Sequence, residues 1–143
     1  VHIGKHFSAG EFSAIKTDYK DAITGNSSFA SRCGIHGLLQ RVQEKLETTE
    51  SFTGEEIFEM ANQGNEKVIE AIDQFSFEVA VQIFNIHTSL DCEKVAVGGG
   101  ISAQPILMEL IQKNLDLIFD NSISASYLSA VFTLSLRCSS HAS

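Results

Sequence analysis

From Gly34 onward the apolar positions Ile35, Leu38, Leu39, Val42 and Leu46 recur every three or four residues, with Gln40, Glu44, Lys45 and Glu47 on the other side. That period predicts an amphipathic helix ending near Thr48. Thr53 followed three residues later by Glu56 is a capping-box signature, and it predicts a short helix carrying Ile57, Phe58, Met60 and Ala61 that Gly64 terminates. A longer helix is predicted from about residue 65 to 86, burying Val68, Ile69, Ile72, Phe75, Val79, Ile83 and Phe84 or Ile86. Residues 94–97 read as a short apolar strand that runs straight into Gly98-Gly99-Gly100-Ile101-Ser102. Pro105 then opens a helix whose Ile106, Leu107, Leu110, Ile111, Leu115 and Ile118 form a wide stripe. Residues 127–138 are apolar on most sides and predict a packed terminal helix, with 139–143 a frayed tail.

The amino-terminal part is less periodic. Residues 1–7 alternate around Gly4 as a strand and turn would, and residues 8–31 read as a long ordered loop holding one helical turn. Strand, helix, strand, helix in sequence points to an α/β fold, and residues 1–143 to a single partial domain. The chain opens with Val1 directly in a strand-like segment, so a fragment of a larger fold is expected.

Of the 143 residues, 43% are hydrophobic and 20% charged, the balance of a globular domain large enough to fold around its own core. Ten Lys and Arg against 18 Asp and Glu leave a net charge of −8, which repels phosphate backbones and anionic lipid. No nucleic-acid contact is therefore expected from this segment. Nine acids and two lysines lie between residues 44 and 73, and they read as a solvated helical face. No apolar run approaches the roughly 20 residues that cross a bilayer, and no signal-peptide core opens the chain, so no membrane partner and a cytoplasmic location are expected. Three cysteines, Cys33, Cys92 and Cys138, are too few and too odd for a disulfide framework and read as reduced thiols.

The strongest local signal for chemistry is the triglycine after a buried strand. Three residues without Cβ let the backbone approach a flat or phosphorylated ligand at the carboxyl edge of a sheet. No G-x-G-x-x-G or Walker lysine follows, so a structural tight turn and a nucleotide-edge loop both fit. Cys33 and His36 have the spacing of half a metal site, with His2 and His6 the imaginable remainder, but structural zinc wants four ligands as two close pairs. A buried thiol beside a surface or helix-start histidine fits the same residues. Cys92 and Cys138 have no neighbouring pattern that marks a nucleophile. Glu11, after the flexible Gly10, is either an acceptor for ligand hydroxyls or a solvated loop acid.

Several of these strings stand in a recognisable order. Ala9-Gly10-Glu11-Phe12 resembles the A-G-E-x-G-H loop of the ROK family (repressors, open reading frames and sugar kinases). Cys33-Gly34-Ile35-His36-Gly37 resembles the C-G-x-x-G part of its C-x-C-G-x-x-G-C-L-E signature, and Thr53-Gly54-Glu55-Glu56-Ile57-Phe58 with Ala61 and Gly64 its following helix pair. Leu90-Asp91-Cys92-Glu93-Lys94-Val95-Ala96-Val97-Gly98-Gly99-Gly100-Ile101-Ser102 is similar to its L-D-P-E-x-I-x-x-G-G-G-x-S segment, and residues 125–130 to its A-N-L-x-G-A.

The resemblance covers roughly residues 4–132 and implies the carboxyl-terminal lobe of an actin-like, ribonuclease-H-like ATPase fold, a mixed sheet packed with helices. It implies a parent protein that transfers phosphate from ATP, with Mg²⁺, to a sugar hydroxyl. Gly98, Gly99 and Gly100 would lie against the nucleotide. Glu11 and Gln40 would contact the sugar, Gln40 standing where the family has Glu. A homodimer is implied as well. The family's zinc-binding positions are Ala14, Ser31, Cys33 and Leu38 here, so no zinc is expected. The catalytic aspartate and first phosphate loop belong to the family's amino-terminal half, so no catalytic residue is assigned and the chain alone is expected to be inactive. Two other readings are the sugar-sensing lobe of a ROK repressor and a non-catalytic actin-like dimerisation domain. An upstream D-x-G-G-T loop would favour the kinase and an upstream helix-turn-helix the repressor.

Overall fold

A computed structural model describes residues 10–23, 25–122 and 133–136. Its elements are α1 (Phe29–Arg32), α2 (Ile35–Leu46), α3 (Gly54–Asn62), α4 (Glu66–Leu90), β1 (Lys94–Val97), α5 (Pro105–Asp120) and β2 (Thr133–Leu136). The longest apolar stripe makes the central element. On α4, Val68, Ala71, Ile72, Phe75, Val79, Ala80 and Ile83 are buried, and they meet Leu38 and Val42 of α2 on one side and Leu107, Met108, Ile111 and Leu115 of α5 on the other. Ile57, Phe58 and Ala61 of α3 close the same core. Burying each large side chain contributes roughly 1.5–3 kcal/mol relative to exposure, so this stack is the main source of stability.

The helix ends follow from the local chemistry that the sequence displays. The Thr53 hydroxyl accepts from Glu56 N at 3.2 Å while the Glu56 carboxylate accepts from Thr53 N at 2.7 Å, completing the capping box. Asn65 Oδ1 accepts from Val68 N at 3.3 Å and starts α4. Gly64, with φ of +87°, supplies the left-handed turn between α3 and α4. Without a glycine to stop it, α4 runs past the expected residue 86 to Leu90, and Asp91 closes it at φ of 49°. Between α4 and α5, the buried Asn114 donates through Nδ2 to Oδ1 of the more exposed Asp73 at 3.1 Å, a part-buried polar tie between the two helices.

Two expectations are corrected. The predicted terminal helix over residues 127–138 is a strand where it is described: Thr133–Leu136 pairs in parallel with Lys94–Val97, Lys94 opposite Thr133 and Val97 opposite Leu136. Short apolar runs do not distinguish helix from strand by composition, and the alternation Thr133-Leu134-Ser135-Leu136 takes its partner from 39 residues away through the β1–α5–β2 crossover. The remainder of that helix, residues 127–132 and 137–138, lies outside the described residues. Residues 10–31 carry more structure than one helical turn: 3-10 turns at Phe12–Ala14 and Gly25–Ser27, a bridge between Lys16 and Ser28, and α1. Of the expected mixed sheet, the described residues contain the parallel β1–β2 pair. The strand and turn expected at residues 1–7, His2 and His6, the 125–130 string, and the tail with Cys138 lie outside the described residues. Among those described, no helix is long and apolar enough to cross a membrane.

Candidate functional site

The triglycine leaves the carboxyl end of β1 and returns to α5 through a tight bend. Gly99 stands at φ of +114°, and its carbonyl accepts from Ser102 N at 3.1 Å and from the buried Ser102 hydroxyl at 2.8 Å. Those bonds need a left-handed residue at 99 alone. Gly98 and Gly100 are exposed, neither has a positive φ, and among the described residues a Cβ placed on either would meet nothing within 4 Å. The tight-turn reading therefore accounts for one glycine of three. Ile101 anchors the loop from below: a Cβ on Gly54, at the start of α3, would lie 3.2 Å from Ile101 Cγ2 and 3.4 Å from Ile35 Cδ1, so the glycine loop, α2 and α3 meet at one point.

The second glycine string serves close backbone packing. After α1, Cys33 and Gly34 turn the chain into α2, and a Cβ on Gly37 would sit 2.1 Å from the Arg32 carbonyl oxygen. A Cβ on Gly34 would sit 2.6 Å from the Ala30 carbonyl oxygen. The carbonyls brought in this way are then used. Arg41 Nη1 donates to Arg32 O at 3.1 Å and to Gly37 O at 2.6 Å, and its guanidinium lies 5.8 Å over the Phe75 ring. Glu78 on α4 holds both arginines: Arg32 Nε and Nη2 donate to it at 2.8 and 2.6 Å, and Arg41 Nη2 lies 2.5 Å from Oε1. Burial pushes the Glu78 carboxyl up, but the hydrogen bonds from Arg32 and Arg41 outweigh it and hold the group below the usual carboxylate range. Arg32 is pushed up by the same pairing.

Sequence reasoning missed this cluster, because Glu78 is 46 residues from Arg32 and no local period connects them. The available signal was that two of the chain's three arginines flank the C-G-x-x-G string.

The two residues expected to contact a sugar face their own elements. Glu11 caps the Phe12–Ala14 turn, its carboxylate accepting from Ser13 N at 3.3 Å and from the Ser13 hydroxyl, and it is exposed. Gln40, exposed on α2, donates through Nε2 to Glu44 Oε1 at 2.9 Å, one helical turn on. Among the described residues, no hydrogen bond joins Glu11, Gln40 and the glycine triplet. A shallow cleft of about 340 Å³ begins one residue after Glu11, between Phe12, Ile15 and Thr17 of the loop and Val81, Asn85 and Ile86 of α4. A second of about 340 Å³ lies beside the ion cluster, against Arg41, Asp73, Phe77, Glu78 and Asn114. Glu11, Gln40 and the triglycine line neither.

The zinc-binding positions of the resembling family do not form a metal site. Leu38 is fully buried in the hydrophobic core. The Ser31 hydroxyl is taken up by Ser28 O at 2.9 Å. Burial, with Glu78 adding to it, pushes the Cys33 thiol up to about 12. His36 is exposed on α2. Cys92 packs against His87, whose Nδ1 is 3.0 Å from the Cys92 carbonyl oxygen and 3.9 Å from its sulfur.

Comparison with known proteins agrees with the order of these motifs. A search of curated proteins finds no match. The structure is similar to that of a ROK family protein from Streptococcus pneumoniae TIGR4 crystallised in complex with sucrose, with a TM-score of 0.77 and 23% identity, over 94% of this chain and 45% of that one. It is similar as well to a protein from Cytophaga hutchinsonii assigned as a sugar kinase, with a TM-score of 0.70 and 18% identity, over 94% of this chain and 44% of that one. The chain thus spans less than half the length of the structures it matches, and shares their fold over that span. The sequence model of the ROK family matches residues 26–135, which include the C-G-x-x-G corner, the capping box and the triglycine, and the chain belongs to the ROK family.

Proposed function

We propose that this chain is the carboxyl-terminal lobe of an actin-like sugar kinase, the part that offers one wall of a cleft in which ATP and a sugar meet. The observation that carries the reading is the surplus of glycine after β1. Among the described residues, Gly98 and Gly100 are required neither by a positive φ nor by a packed neighbour, and a ligand outside the lobe would account for their lack of a side chain. A flat adenosine laid on the open backbone at the carboxyl end of a strand fits that requirement. Glu11, exposed on its turn, is the proposed acceptor for sugar hydroxyls, and Gln40 the second, each released from a local hydrogen bond when sugar arrives.

Mg²⁺ bound with ATP would neutralise charge on the transferring phosphoryl group. Catalysis in such a reaction is mostly positioning of two substrates, and a lobe with one wall of the cleft and no general base loses that base's roughly 10²–10⁴-fold assistance. The lobe by itself is therefore proposed to be inactive, and the activity to belong to the parent protein.

The test is Gly100→Val in the parent protein. The open space at residue 100 means the melting temperature should stay unchanged, while titration with Mg·ATP should show at least about tenfold weaker binding. Equal affinity in variant and wild type would return the triplet to a tight turn and remove the nucleotide reading.

A further inference from the structure

The zinc positions of the resembling family fall on Ala14, Ser31, Cys33 and Leu38 here, around the α1–α2 corner; Leu38 is buried in the core, the Ser31 hydroxyl donates to Ser28 O, and Cys33 is half-buried. Three elements converge there. The carboxyl end of α1 turns into α2 across two glycines with no room for a side chain, and α4 passes alongside. Glu78 reaches the corner from α4 and is clasped by Arg32 of α1 through two bonds and by Arg41 of α2 through a third. Arg41 then returns to the backbone at Arg32 O and Gly37 O. The Arg41 side chain keeps only 11% of its surface exposed, while Glu78 keeps 28% and Arg32 33%, so the cluster is part-buried with Arg41 its inner member.

We propose that Glu78, held between Arg32 and Arg41, is the staple that ties the α1–α2 corner to α4 in this chain. A metal joins separate elements by several short directional bonds to one centre. A carboxylate between two guanidinium groups does the same with charge-assisted hydrogen bonds whose planar geometry fixes direction as well as distance. Lysine has the charge without the fork, which is why the assignment depends on arginine at both positions.

Hydrogen exchange in the 143-residue chain tests this at the amides of Cys33, Gly37 and Leu38, which donate to Phe29 O at 2.8 Å and to Gly34 O at 3.0 and 3.2 Å. In Glu78→Gln these three amides should exchange roughly ten- to a hundredfold faster, the loss expected for charge-assisted bonds, while Ile111 and Leu115 of α5 change little. Arg41→Lys should not rescue the protection. Lys45→Met, which breaks the 2.5 Å pair with Glu70 elsewhere on α2, should leave the corner as it is. A zinc chelator, or added zinc, should not alter wild-type exchange. Should Glu78→Gln fail to fold, Arg32→Met keeps the Arg41 pair and should show a smaller acceleration confined to the same amides. Faster corner exchange with chelator, added protection with zinc, unchanged exchange in Glu78→Gln, or equal acceleration across α5 would each overturn the staple. None of these readouts involves sugar or nucleotide, so the result stands or falls separately from the proposed kinase lobe.

Discussion

The helical stack and the turns at its ends are held by different forces. In α2, α4 and α5 the contacts are apolar side chains repeating every three to four residues, and any side chain of similar size and character could serve. At the corner beside them, single atoms decide. A hydrogen in place of a methyl group at Gly37 admits a carbonyl oxygen, that oxygen takes a guanidinium, and the guanidinium takes a carboxylate from another helix. The triglycine loop is a third case, since among the described residues no atom would lie within 4 Å of a Cβ on Gly98 or Gly100. The lesson is that identical residues carry different information: Gly37 reports on packing and Gly99 on backbone conformation, while Gly98 and Gly100 stand in open space among the described residues.

The largest effect should come from the stack. Phe75 is 1% exposed at the centre of α4 and also lies beneath the Arg41 guanidinium, so Phe75→Ala should lower stability by about 3–5 kcal/mol in chemical denaturation. Next come two glycine substitutions that separate packing from open surface. Gly37→Ala puts a methyl group 2.1 Å from a backbone oxygen and should cost about 3 kcal/mol, because the neighbour is main chain and yields only if α1 moves. Gly98→Ala, in open space, should stay within about 0.5 kcal/mol of wild type. Equal melting temperatures for the two alanine variants would erase the distinction between the turns.

The smallest effect is the acid limb. Glu78 titrates in the unfolded chain near the usual glutamate value, about 4.3, and lower in the folded chain. Its contribution is thus complete above the unfolded value and is lost as the pH falls through the folded one. Stability measured below about pH 4.3 should fall less steeply in Glu78→Gln than in wild type, and parallel acid limbs would show that the cluster does not carry this dependence.

Most of the helices were legible in the sequence because their determinants are local. The stripe of Val68, Ile72, Phe75 and Val79 and the pair Thr53 and Glu56 state period and start within a few residues of each other. The strand Lys94–Val97 was legible for the same reason, ending where the glycines begin. Thr133–Leu136 was not, because a four-residue apolar run has no partner until the β1–α5–β2 crossover brings one. Of the candidate site, the glycine strings could be found and ordered, but not what each glycine was for.

By itself, then, the sequence determined the helical periods, the caps, the acid excess and the family, all of which depend on residue types at short spacing or in a fixed order. Only the tertiary structure decided that Arg32, Arg41 and Glu78 form one cluster, that Leu38 lies in the core, and that the glycine at 37 is closed in while those at 98 and 100 are open. These are relations between segments as far as 46 residues apart, and charge pairing or close approach over that distance leaves no period in the chain that could announce it.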